Sequence, residues 1–387
     1  MTLRLHSFDF LRAACALMVL AGHLCTEMGI APNRILLGAT SFGTEAVVGF
    51  FVLSGCLISM QDYGSRANYL RARLVRIVPN YYVMLIFSAV AMLAFGVAFP
   101  ASNLVANALF LQTLDWSPAN PLNWYAQSWS LSYEIWYYIG FLAILAWPRL
   151  LLPLFVASLG VGIALYFTSK PPDAVNALLR AFAFFSIWLS GVLVTWLVRR
   201  GHGVSIETGA FMMAVGFCLS REPFSSPAKF DFGLLFNFGI GFAFLVWALV
   251  TQAMQGVSRV HHFNLVARAV ISAVVLTGLW RWSDSFLEMK EAMTALVVAF
   301  ALLPGGMVRI VTVLVRPLLP FMTYVGGLSY ALYLVHYPVL HVLYQAHPFT
   351  PVVNALIVLL LSFAIAHLLD YGLQPRIVAA IRGRRHA

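Results

Sequence analysis

Charge is scarce in this sequence: only 10% of its 387 residues are Asp, Glu, Lys or Arg, against 61% apolar. That excludes a soluble globular domain of this size, whose surface would need a charged coat these residues cannot supply. Cysteine is as sparse, four in all, and Cys15, Cys25, Cys56 and Cys218 sit in apolar stretches without paired metal-ligand spacing. Packing roles are expected for them and no metal. No nucleotide-binding glycine loop, metal-ligand cluster or Gly-x-Ser-x-Gly nucleophile elbow occurs. Low-complexity linkers, internal repeats and a separate soluble domain are also missing. The first apolar run lacks a basic leader and a small-residue cleavage site, so no cleavable signal is expected.

What the sequence does have is long apolar runs and a mean hydropathy of +0.86. The runs are helical in length, roughly 17–25 residues, and too continuous for barrel strands. The expected fold is all-α, a polytopic integral membrane bundle of about 10–12 transmembrane helices in a lipid bilayer. Candidate stretches begin with Phe8 to Cys25, Thr44 to Met60 and a helix starting near Pro79, whose missing N–H suits a helix start. They continue at 129–147, 150–168, 178–198, 207–220, 232–253, 264–280, 292–312, 320–345 and 353–371.

The formal charge of +10 does not imply a nucleic-acid partner, because the basic residues concentrate in alternate loops. If the Arg66–Arg76 stretch is cytoplasmic, then Arg149, Arg199, Arg200, Arg259, Arg309, Arg316, Arg376, Arg382, Arg384 and Arg385 fall on the same side. The connection from Pro100 to Gln127, free of Lys and Arg, falls outside. Both termini are then cytoplasmic. Residues 1–375 form one transmembrane domain and 376–387 a basic cytoplasmic tail.

Four patches carry candidate chemistry. In the first helix Arg12 and His23 are eleven residues apart, which returns to nearly the same azimuth roughly 16 Å along the axis. Asp9 lies one turn before Arg12, close enough to pair with it. Ionisable groups inside a membrane helix are costly and point to function, although an arginine can also snorkel to the interface. Neutral imidazole suits His23 to take a proton from an alcohol. The second patch places Ser130, Glu134 and Tyr138 on one helical face, at nearly the depth of His23. A carboxylate there could orient the histidine, or simply bond hydroxyls within an aromatic belt.

The third patch is Arg71, Arg73 and Arg76. Arg73-x-x-Arg76 puts two guanidiniums on one face, fit for phosphate, although spacing alone favours an ordinary topology-setting basic loop. The fourth spaces Tyr330, Tyr333 and His336 three residues apart, to line a substrate path or to staple helices. Gly49 to Gly55 reads as a small-residue packing face.

Taken in order, these patches resemble the membrane acyltransferase 3 family. The resemblance rests on Asp9-Phe10-Leu11-Arg12-Ala13 with His23, on Gly49-Phe50-Phe51-Val52-Leu53-Ser54-Gly55, and on Arg73-x-x-Arg76-Ile77-x-Pro79. Trp129-Ser130-Leu131-Ser132-x-Glu134 and Ser329-Tyr330-x-x-Tyr333-Leu334-x-His336 complete it, so it spans nearly the whole chain. Phe10 replaces a glycine found in many relatives. Ile135 follows Glu134 where many have a second acid, so no carboxylate pair is expected. Little sequence follows the last apolar run, so the exported hydrolase-like domain that some relatives append is not expected.

The resemblance implies a bacterial inner-membrane O-acyltransferase. It would move an acyl group, acetyl being the expected one, from cytoplasmic acyl-CoA to a hydroxyl of a surface or exported glycan, without a metal. Arg73 and Arg76 would hold the CoA phosphates, and Arg12 would hold the donor or neutralise developing charge. His23 would be base or acyl carrier, with Glu134 positioning it, and Tyr330, Tyr333 and His336 would line the acceptor side. Two other readings fit buried charges in a bundle. One is a glycan or lipid transporter or flippase; the other is the MBOAT class of acyltransferase, which carries its key histidine late in the chain.

Overall fold

A computed structural model of the chain describes residues 6–30, 42–113, 122–168, 174–220, 232–254, 257–282, 287–302, 316–346 and 349–383. Arg309, Arg384 and Arg385, together with residues 114–121 of the arginine-free connection, lie outside the described residues.

The protein is an α-helical bundle. Helix α1 (His6–Glu27) is followed by α2 (Gly43–Met60), α3 (Arg66–Ala94), the short α4 (Ala101–Ala108), α5 (Trp129–Ala146), α6 (Leu151–Thr168) and α7 (Ala174–Arg199). Then come α8 (Ile206–Leu219), α9 (Phe232–Ala253), α10 (Leu265–Trp282), α11 (Leu287–Ala301), α12 (Leu319–Ala346), α13 (Pro351–His367) and α14 (Gln374–Gly383). Strands β1 (His202–Val204) and β2 (Arg259–His261) pair in parallel, His202 opposite Arg259. Eleven of the twelve apolar stretches read from the sequence fall on one of these helices along most of their length; of 292–312, residues 292–301 lie on α11 and 303–312 lie outside the described residues.

Among the described residues, eight helices are long and apolar enough to cross a membrane. Ile206–Leu219 and Leu265–Trp280 are shorter apolar helices. The side chains facing outward are those a bilayer accepts: Ile86, Val90 and Leu93 on α3, and Leu356 and Leu360 on α13, are all exposed. Such a surface is stable in lipid, where helices satisfy their own backbone.

Two helix crossings set up the site. Helices α2 and α7 touch backbone to backbone, since a Cβ on Gly55 would run into Trp188 O and one on Gly191 into Val52 O. Small residues at such a seam let helices approach closely where the hydrophobic effect cannot drive association. This confirms the packing face read in Gly49 to Gly55, and it delivers Ser54 to the interior. Helices α1 and α12 meet in the same way at Gly326, whose Cβ would strike Asp9 O. That contact sets the polar Asp9 turn against Gly326, and further along the same two helices His23 meets His336.

Helix α3 corrects one expectation. It starts at Arg66, where Ser65 Oγ accepts from Asn68 N at 3.1 Å, and Pro79 lies inside it. The cap satisfies a free first-turn amide, so the helix begins over a turn before the apolar run and carries Arg73 and Arg76 on rigid structure. Pro79 has no N–H to offer Val75 O, and side chains from other helices meet the carbonyls of the same turn: Gln374 Nε2 donates to Arg76 O at 3.3 Å and Tyr330 OH to Ile77 O at 2.8 Å.

The core falls into three clusters. One joins α2, α5, α7 and α9; one joins α1, α3, α12 and α13; the smallest joins α8, α10 and α11. The site lies between the first two. All four cysteines are free thiols.

Candidate active site

A cavity of about 610 Å³ opens between α1, α2, α3, α5 and α12. Arg12, Arg73, Arg76, Glu134, Tyr330 and Tyr333 all border it. Six of the eight residues to which the resemblance gives a role, drawn from four separate helices, therefore share one chamber. Its volume falls within the range of small-molecule sites.

The three guanidiniums are held loosely. Arg12 and Asp9 both border the cavity, yet no ion pair within 4.0 Å joins them, contrary to the spacing expectation. The ion pair described is Arg76 Nη2 to Asp370 Oδ2, at the 4.0 Å limit, with Arg76 40% exposed. Arg73 reaches Gln61 Oε1 at 3.4 Å and lies over the Tyr63 ring at 5.5 Å, while its Nε is buried without a partner. Burial raises the Tyr63 hydroxyl above its ordinary 10.0, the Arg73 charge opposing, so the ring under the cation stays neutral. Arginines left with unused donors around a chamber suit an anion, above all phosphate, which takes two N–H bonds from one guanidinium.

Glu134 stands deeper. It accepts from Ser54 Oγ at 2.7 Å and from Tyr138 OH, and Trp188 Nε1 donates to Ser54 at 3.3 Å. The face shared by Glu134 and Tyr138 is thus real. Ser130, on the same face, instead bonds Tyr333 OH at 2.8 Å, and Tyr333 OH donates to Gln127 O at 2.6 Å.

His23 does not meet Glu134, which corrects the expected orienting role of that carboxylate. The reason is geometric: the acid's bonds are taken up by Ser54 and Tyr138 on the α2–α5 seam, while α12 covers the face of α1 that bears His23. The partner of His23 is His336, with Nδ1 to Nε2 at 2.9 Å and the two rings stacked at 5.1 Å between centroids. His336 is 1% exposed, and its Nδ1 lies 3.0 Å from Leu332 O.

A carbonyl only accepts, so His336 Nδ1 carries the proton. In neutral His336, Nε2 is then an acceptor and His23 Nδ1–H donates to it. Neutral His23 is left with a bare Nε2 lone pair, which has no partner among the described residues. The histidine pair does not border the cavity; it begins one turn beyond Tyr333, whose ring is 6.0 Å from that of His336.

Sequence reading missed Asp370, Asn80 and Gln374, and took Ser54 for packing alone. Asp370 accepts from Asn80 Nδ2 at 2.9 Å and is held on a π-helical turn, Leu368–Leu373. A wide turn of this kind often marks a functional site, and the sequence carries no signature for it. No group of three metal-ligating side chains occurs among the described residues.

With this geometry in view, comparison with known proteins gives one match. The family model for acyltransferase 3, described as an acyltransferase domain, matches residues 5–371. No curated protein and no solved structure matches the chain. The match covers nearly the whole chain, so the chain belongs to the acyltransferase 3 family.

Proposed function

We propose that this membrane acyltransferase moves a short acyl group, acetyl as the expected one, from cytoplasmic acyl-CoA to a hydroxyl of a surface or exported glycan. On this reading it resides in a bacterial inner membrane with its Arg66–Arg76 end in the cytoplasm. The observation that carries the reading is the loosely paired trio Arg12, Arg73 and Arg76 at one chamber, whose far wall at Tyr333 adjoins the His23–His336 pair.

The phosphates of acyl-CoA lie at Arg73 and Arg76, on the rigid α3. Arg12 has no ion pair within 4.0 Å among the described residues to give up, and it receives negative charge deeper in the chamber. The acyl arm passes Glu134, whose charge offsets that of the arginines while its acceptor bonds hold Ser54 and Tyr138 in place. Tyr330 and Tyr333 line the far wall.

His23 Nε2 removes the proton of the acceptor hydroxyl. The oxygen attacks the thioester carbonyl, the C–S bond breaks, and the CoA thiolate leaves with the proton that His23 gives back. His336 holds His23 in the Nδ1–H tautomer throughout, the duty of an orienting group in a nucleophile–His–acid triad. It thereby takes over the part first expected of Glu134.

The test uses purified protein with radiolabelled acetyl-CoA and a cell-envelope glycan fraction, beside an Arg73→Ala/Arg76→Ala variant. Label should reach the glycan with wild-type protein alone. Equal labelling by the variant would remove the donor site from the account.

A further inference from the structure

A second cavity, of about 530 Å³, lies beyond the first and is bordered by Arg76, Asp370, Gln374, Pro375, Val378 and Ala379. Arg76 and Asp370 border both cavities and are the residues the two have in common. Two acceptors on this second wall are buried and unsatisfied. Asp370 Oδ2 has no hydrogen-bond partner although its side chain is only 5% exposed, and Gln374 Oε1 has none at 8% exposure. The opposite atoms of both groups are engaged, Asp370 Oδ1 by Asn80 at 2.9 Å and Gln374 Nε2 by Arg76 O at 3.3 Å. The two remaining oxygens, Asp370 Oδ2 with only the 4.0 Å ion-pair contact to Arg76 and Gln374 Oε1 without a hydrogen bond among the described residues, are therefore oriented and cannot satisfy each other.

Buried acceptors without partners are rare and call for a donor. Here two stand beside a guanidinium that calls for an anion, along a wall whose Pro375, Val378 and Ala379 are apolar. A ligand matching all three features carries a phosphate, hydroxyl or amine N–H and O–H groups, and a flat apolar face. We infer that this cavity is a binding subsite for the nucleotide end of the acyl donor, with Arg76 on phosphate and with Asp370 Oδ2 and Gln374 Oε1 accepting from ribose hydroxyl or purine amine. This rests on acyl-CoA being the donor. Continuity with the first cavity through Arg76 and Asp370 is what favours a nucleotide over a phospholipid headgroup, which offers similar chemistry from another source.

Two substitutions fall on residues that border the second cavity and not the first: Gln374→Leu removes one acceptor together with the Nε2 bond to the Arg76 carbonyl, and Val378→Trp fills the space without touching that bond. Binding of CoA, adenosine 3′,5′-bisphosphate and pantetheine would be measured by calorimetry on full-length protein in lipid nanodiscs, with thermal unfolding of each variant as the folding check. Gln374→Leu should weaken CoA and the bisphosphate by about tenfold, the loss of one hydrogen bond. Val378→Trp should weaken them more, and pantetheine should bind both variants as it binds wild type. CoA binding that is unchanged in folded variants would overturn the subsite and leave the donor reading standing. A wild-type protein that is folded but does not bind CoA would overturn both. A third arm varies phosphatidylglycerol in the nanodisc: lipid competing with CoA in wild type but not in the variants would assign the cavity to a headgroup and overturn the inference.

Discussion

Replacing His336 isolates the step on which the chemistry depends. His336 Nε2 accepts from His23 Nδ1 at 2.9 Å, and its own Nδ1 is fixed to Leu332 O at 3.0 Å. When His23 takes the hydroxyl proton it becomes a cation, and that bond becomes charge-assisted in the transition state alone. A hydrogen bond to a charged group contributes about 1.5–3 kcal/mol, so its loss lowers kcat by roughly 10- to 150-fold. His336→Phe keeps a ring against His23, where the present rings stack at 5.1 Å, and so removes the bond rather than the packing. His336→Gln restores an acceptor and should recover part of the rate.

Because His336 does not border the donor cavity, KM for acyl-CoA should stay at the wild-type value in both variants. The double variant His23→Ala/His336→Phe should be no slower than His23→Ala, since the second group acts only through the first. Steady-state kinetics at equal membrane levels measure all four. A fall in kcat/KM carried by KM, or penalties that add in the double variant, would refute the relay.

Further outcomes follow from the same geometry. Arg12→Ala, which removes a cation with no ion pair within 4.0 Å among the described residues, should raise the acyl-CoA Kd by roughly 10- to 150-fold, the value of one charge-assisted bond; unchanged Kd by calorimetry would remove Arg12 from the donor site. Ser54→Ala takes one of two donors from Glu134 and should lower the thermal midpoint by an amount equivalent to about 1–3 kcal/mol, the cost of a buried acceptor losing its partner. Gly191→Val, driven into Val52 O, should cost about 1–3 kcal/mol by overpacking and loosen the α2–α7 seam; a midpoint equal to wild type would contradict that crossing. His23 as base predicts that protein incubated with labelled acyl-CoA alone carries no label, whereas a labelled acyl-histidine would make it the nucleophile.

The helices were legible because a bilayer leaves few alternatives: long apolar runs must be helices, and the twelve stretches are helical over nearly all of their described residues. Pro79 misled because proline at a helix start and proline inside a membrane helix look alike in sequence. The difference lay in Ser65, a cap that precedes a basic rather than an apolar stretch. Arg12, Arg73, Arg76, Glu134, Tyr330 and Tyr333 could be picked out because polar groups in apolar helices are costly and rarely idle. Their convergence on one chamber depends on helix crossings at Gly55, Gly191 and Gly326, which spacing along one helix cannot show. The partner of His23 was misread for the same reason. Depth along the axis matched Glu134 as well as His336, and only the azimuth of α12 decides between them. Asp370 and Gln374 were hidden because a π-helical turn shifts the face that an α-helical periodicity would assign to them.

The central claim is that donor and acceptor meet from opposite ends of the bundle. The most direct measurement uses sealed proteoliposomes of known orientation, with labelled acyl-CoA only on the side bearing the Arg66–Arg76 end of α3 and the glycan acceptor only on the other. The account predicts label on the glycan and free CoA thiol on the donor side, both abolished by His23→Ala. Transfer that requires donor and acceptor on the same side, or that survives the loss of His23, would contradict it.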